Sequence, residues 1–190
     1  SAAILTGDVL VARASQLVAA LGPEAVMAHA KTFERLCMGQ LHETLPRPAG
    51  TDPVDHYIQV LADKTGSLIA VSARYGAMLT GAGERTERIV EDFGEKIGVA
   101  FQLADDVIDL VSDSATTGKT PGTDLREGVD TMPVLLLRKA LAAGELDAAG
   151  QAILSRLSTG DLSDDAFLAD VVAHLREHPV LARTREMAMA

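Results

Sequence analysis

Three aspartates fall within Phe101-Gln102-Leu103-Ala104-Asp105-Asp106-Val107-Ile108-Asp109. On a helix Asp105 and Asp109 share one face, Gln102 lies a turn earlier on it, and Asp106 is rotated by about 100°. Ile97, Val99, Ala100 and Leu103 precede them and Val107, Ile108, Leu110 and Val111 follow, so this helix is apolar enough to be largely buried. Ionised carboxylates there are costly unless something positive meets them, and acids one turn apart with no basic partner repel each other. A solvated acidic face is the plainer alternative, and it leaves that repulsion unanswered. A calcium loop is excluded, because the Asp-x-Asp-x-Asp-Gly pattern is absent and the segment is helix. Magnesium fits better: it binds through one or two carboxylates plus substrate phosphate oxygens and keeps several waters. Phosphate calls for cations, and two lysines qualify. Lys119 stands in Gly118-Lys119-Thr120-Pro121-Gly122-Thr123-Asp124 and Lys64 in Asp63-Lys64-Thr65-Gly66. On type alone a single lysine is more often a surface group.

The elements that must hold these residues are helices. Apolar positions recur at three- and four-residue steps and never alternate for the length of a strand. A first helix is predicted from about Ile4 to Leu21, stopping at Gly22. Pro23 suits the first turn of a second, whose buried stripe is read as Val26, Ala30, Phe33, Cys37 and Leu41, and which Pro46 and Pro48 end. Asp52 before Pro53 starts a third, running toward Lys64. A fourth covers Thr65 to Leu79, and a long one runs from Glu84 to about Val111. From Ser112 to Met132 the periodicity disappears, and a loop of that length in a compact domain is usually functional or disordered. Pro133 opens another helix to about Ala143, Gly144 and Gly160 delimit a shorter one, and Ser163 is read as the N-cap of a last segment ending near Pro179.

Composition agrees. The chain has 190 residues, 47% apolar and 23% charged, but aromatic residues make up only 3%, with no Trp. Ala (30) and Leu (24) carry the apolar content, which favours an all-α fold over a sandwich or barrel. The net charge of −10, with no basic cluster, excludes nucleic acid as a partner. No stretch of about 18 uncharged apolar residues, the least a membrane-spanning helix needs, occurs. Cys37 is alone, so no intramolecular disulfide forms, and Ser1 to Leu10 lacks the pattern of a signal peptide; the expected compartment is the cytoplasm.

Phe101-Gln102-x-x-Asp105-Asp106-x-x-Asp109 resembles the second aspartate-rich motif of the trans-isoprenyl diphosphate synthases, or polyprenyl synthetases. Gly7-Asp8-Val9-Leu10-Val11-Ala12, Gly39-Gln40, Lys64-Thr65-Gly66 and Lys119-x-Pro121-Gly122-x-Asp124-Leu125-x-Glu127-Gly128 followed by Thr131-x-Pro133 resemble further elements of that family, in the same order. The resemblance extends to about Ala143. It implies an isoprenoid-synthase-type helical bundle around a central apolar cavity, and a transferase that uses Mg2+ to ionise an allylic diphosphate, which isopentenyl diphosphate then attacks. Asp105 matches the principal metal ligand, supported through water or hydrogen bonds by Asp106 and Asp109. Lys64, Thr65, Gln102 and Lys119 match groups around the allylic diphosphate, and Phe101 an aromatic near the isopentenyl side. The implied catalytic residues are Asp105, Lys64 and Lys119. A homodimer and release of product at a membrane surface are the family expectations. Small residues at Ala70, Ala73 and Ala77 favour a long-chain polyprenyl product.

The sequence departs from the family pattern at the first motif, at Val129, and at Gln40 and Glu43, where the order of amide and acid is swapped relative to some long-chain members. A first aspartate-rich motif and an Arg-Arg pair, expected upstream of Gly7-Asp8, are absent. Asp164-Asp165-Ala166-Phe167-Leu168-Ala169-Asp170 has a family spacing but lies downstream, and reads as the acidic first turn of a helix. Val129 stands where many members have Lys. The expectation is therefore that residues 1–190 form the C-terminal portion of a single synthase domain, incomplete at the N-terminus and inactive alone. Three alternatives stay open: a non-catalytic or regulatory homologue, a class I terpene cyclase, and a purely structural helical module.

Overall fold

A computed structural model describes residues 1–112 and 120–190, and every regular element among them is helical. The chain divides into two compact units.

Unit one comprises Ser1–Pro46 and Gln59–Gly98. It holds α1 (Ala2–Ala19), α2 (Pro23–Thr44), the end of α3 (Pro53–Leu61), one π-turn (Ala62–Gly66), α4 (Ser67–Leu79) and the first half of α5 (Glu84–Val111). The break between α1 and α2 falls at Gly22, whose φ of 101° is open to glycine and strained for other residues, and Pro23 supplies the first helical position. On α2 the expected stripe is not the buried one. Val26, Phe33 and Leu41 are exposed, as is Cys37, whereas Ala25, Ala28 and Gly39 are buried. The reason is closeness: α2 packs on the π-turn and α4 at a distance only small side chains allow. On α1 Val18 alone is buried. By length and composition Ala2–Ala19 is the one helix among the described residues that could cross a membrane, although it carries Asp8 and Arg13.

Unit two comprises Arg47–Ile58 and Val99–Ala190. It holds the start of α3, the second half of α5, a single turn α6 (Thr123–Arg126), then α7 (Met132–Ala143), α8 (Ala148–Thr159), α9 (Asp165–Glu177) and α10 (Pro179–Met189). Asp52 starts α3 as expected, its carboxylate accepting from the Val54 and Asp55 amides at 2.8 and 3.2 Å, and Lys139 of α7 reaches the same carboxylate at 2.7 Å. The N-cap of α9 is Asp164 rather than Ser163. Its carboxylate accepts from the Phe167 amide at 2.7 Å, while Ser163 instead donates to Asp161 at 2.6 Å. Leu110, Met132, Leu137, Ile153, Leu168 and Leu175 are fully buried, each burial contributing about 1.5–3 kcal/mol of transfer free energy. This core fixes the second half of α5 by its Leu103, Val107 and Leu110 face.

Candidate functional site

On α5 the three aspartates differ in burial. Asp105 is exposed, with Phe101 one turn before it also exposed; Gln102 and Asp109 are half-buried, and Asp106 is only 5% exposed. Asp106 turns away from its neighbours and accepts the Tyr57 hydroxyl on both oxygens, at 3.0 and 3.1 Å, and the Met132 amide at 3.0 Å. Burial pushes its carboxyl up to about 7, helped by the charges of Asp124 and Asp105 and opposed by the two donors. Asp109 is also raised, chiefly by burial and then by Asp124, against the amides of Asp124 and Thr123.

Because the folded state holds the Asp106 proton more tightly than the unfolded chain does, this group favours folding most below its ordinary value of 3.8. That contribution is lost as pH rises through about 7. Asp106→Asn should flatten the fall in stability between these two values. Asparagine can accept from Met132 and donate to the Tyr57 hydroxyl. Asp106→Ala strands the Met132 amide and should cost about 1–3 kcal/mol in a urea melt without added divalent cation.

The end of α5 is tied down by the loop that follows. The Asp109 carbonyl accepts from the Gly122 amide at 2.9 Å and its carboxylate from the Thr123 amide at 3.2 Å. Gly122 has φ 80°, and a Cβ there would lie 2.6 Å from Val172 Cγ2, so the turn needs glycine. Arg176 of α9 donates to the carbonyls of Leu110 and Ser112 at 2.5 and 3.3 Å, satisfying groups that a helix end leaves unpaired. Lys119 lies outside the described residues.

Among the described residues no three His, Cys, Asp or Glu side chains converge into a closed metal cage. The donor set that is present is open: exposed Asp105 and, one turn on, half-buried Asp109, whose carboxyl burial pushes up. That suits a hydrated magnesium ion sharing its shell with phosphate oxygens better than a metal enclosed by protein alone.

In unit one Lys64 and Thr65 lie within the π-turn, both half-buried. Lys64 Nζ is 2.7 Å from the Glu43 carboxylate of α2, which also accepts from Gln40 at 2.9 Å. Lys64 thus already meets an anion among polar neighbours. Sequence reasoning missed Tyr57 as the partner of Asp106, the π-turn, and the Arg35, Gln59 and Glu95 side chains around Asp63. The one available signal was the set of glycines at 39, 66, 94 and 98, which mark close backbone approach.

The helical fold and its acidic helix place the chain among isoprenyl diphosphate synthase-like structures. Geranylgeranyl pyrophosphate synthase from Corynebacterium glutamicum, crystallised with calcium and isoprenyl diphosphate, superposes with a TM-score of 0.80 at 39% identity, over 98% of this chain and 58% of that one. The polyprenyl synthetase family model matches residues 1–160, and the chain belongs to that family. It is 43% identical over 185 residues to nonaprenyl diphosphate synthase of Mycobacterium tuberculosis, covering 97% of this chain and 53% of the relative. It is 32% identical to heptaprenyl diphosphate synthase component 2 of Geobacillus stearothermophilus, covering 96% and 54%. The chain therefore spans little more than half the length of these relatives.

Proposed function

We propose that the complete protein is a magnesium-dependent prenyltransferase that condenses isopentenyl diphosphate with an allylic diphosphate to make a long-chain polyprenyl diphosphate. The observation carrying this reading is the pair Asp105 and Asp109 on one face of α5, one exposed and the other half-buried, in a chain so similar to a nonaprenyl diphosphate synthase. A bound magnesium ion would neutralise charge on the departing diphosphate. Asp105 and Asp109 would hold it, Asp109 being oriented by the Thr123 amide. Asp106, kept inward by Tyr57 and Met132, holds the helix rather than the ion. Lys64, Thr65, Gln102 and Lys119 bind diphosphate oxygens, and Lys64 and Lys119 stabilise the charge left as the carbon–oxygen bond breaks. Phe101 offers an apolar face on the isopentenyl side. By family resemblance the working form is a cytosolic homodimer that releases product at a membrane surface. Residues 1–190 alone, without the upstream aspartate-rich motif, should not elongate.

The test is extension of an allylic diphosphate by labelled isopentenyl diphosphate. The complete protein should require magnesium and lose activity in EDTA, with activity restored on adding the ion back. A complete protein inert at all magnesium concentrations, or equally active in EDTA, would overturn the reading.

A further inference from the structure

The π-turn Ala62–Gly66 is held from three sides. A π-turn carries a surplus residue, is rare, and is frequent at functional sites. Arg35 of α2 donates from Nε to Asp63 Oδ1 at 2.8 Å and from Nη1 to Glu95 Oε2 of α5 at 2.5 Å. Gln59, on the turn of α3 before, donates to the other Asp63 oxygen at 3.0 Å. Asp63 is 9% exposed, and the Ser67 hydroxyl donates to its carbonyl at 2.7 Å. One planar guanidinium thus joins α2, the turn and α5. Burial opposes the Arg35 charge, yet its bonds to Glu95 and Asp63 outweigh that and hold its pKa above the usual value. Gly39 brings α2 so close that a Cβ would lie 2.9 Å from both Asp63 Cβ and the Lys64 amide nitrogen. Neither side chain nor peptide at Asp63 has room to drift, and the next residue is Lys64.

We propose that Arg35 is a positioning residue: by fixing Asp63 between α2 and α5 it sets the direction in which Lys64 leaves the π-turn. This rests on the reading of Lys64 as a diphosphate ligand. Lysine cannot replace Arg35, because a compact ammonium on a flexible stem does not bridge two carboxylates on separate elements with the planar fork of a guanidinium.

The test uses the complete protein with Arg35→Met and Arg35→Lys, each alone and combined with Lys64→Ala. Binding of inorganic diphosphate in magnesium buffer is measured by calorimetry, beside thermal melts. Lys64→Ala should weaken binding, and each Arg35 variant alone should weaken it about tenfold or more, as misplacement of a binding group does. In the Lys64→Ala background the Arg35 changes should add almost nothing, the mark of two residues acting through one another. If Arg35→Met does not fold, Asp63→Asn, isosteric and still able to accept from Gln59, carries the same expectation. Three results overturn the proposal: lower melting temperature with unchanged binding, equal weakening in both backgrounds, or no effect of Lys64→Ala itself. Because binding is read without elongation, an inactive wild-type protein would sink the proposed function and leave this question decided on its own terms.

Discussion

Gly98→Ala is expected to destabilise the chain by about 2 kcal/mol or more, even though alanine is the better helix former by about 1 kcal/mol. Gly98 lies inside α5, and a Cβ there would sit 2.5 Å from Gly66 Cα and 3.1 Å from Gly66 N, with Ile69 Cδ1 at 3.3 Å. The first two are backbone atoms and cannot swing aside, so either α5 or the π-turn must move. Both are packed on other elements, and Gly94 repeats the constraint one turn earlier, where a Cβ would lie 2.9 Å from Ala70 Cα. Gly76→Ala is the internal control. It lies in α4 with nothing within 4 Å of a new Cβ, and should be neutral or stabilising by up to about 1 kcal/mol. Urea melts of the two variants, measured together, separate crowding from propensity. Equal stabilities would mean that the α5 approach at Gly66 is looser than described.

The second large effect is expected at Asp105. In the complete protein Asp105→Ala should lower the elongation rate by about 10²–10³-fold, the scale found when one electrostatic stabiliser of a transition state is removed. It should leave the fold intact, because Asp105 is exposed on α5. Removing it relieves pressure on the raised carboxyls of Asp106 and Asp109, so stability should stay level or rise slightly. Asp106→Ala should show the opposite balance, with stability falling first. A fully active Asp105→Ala enzyme would sink the metal assignment, and a purely structural module would gain stability while binding magnesium diphosphate no differently.

Much of the helical layout was legible because its punctuation is local chemistry. Gly22 before Pro23, Asp52 before Pro53 and Gly144 after Ala143 act on their immediate neighbours, and the helix ends fall there. The common face of Asp105 and Asp109 likewise follows from helical spacing. What stayed hidden depends on distant partners. Which partners Asp106 meets inside the protein is set by Tyr57, 49 residues away, and by the Met132 amide. The packed face of α2 was misread because large apolar side chains were assumed to mark burial. Here Ala25, Ala28 and Gly39 are buried because they are small, while Val26, Phe33 and Leu41 face outward. Ser163 and Asp164 are both good caps by type, and only the amide of Phe167 chooses between them.

The π-turn has a further consequence in the phase of the helix that contains it. One surplus residue rotates everything downstream by about 100° relative to an uninterrupted α-helix. The segment from Gln59 to Leu79 is therefore two helical registers joined end to end: Gln59 and Val60 belong to the first, and Ala70, Val71 and Ala77 to the second. Deleting a single residue between Ala62 and Gly66 would restore a regular helix and leave Ala70, Val71 and Ala77 on the faces they now occupy, whereas straightening the turn at its present length would carry them about 100° round. What a one-residue deletion removes here is the surplus residue of the turn itself, and not the packing of the helix beyond it.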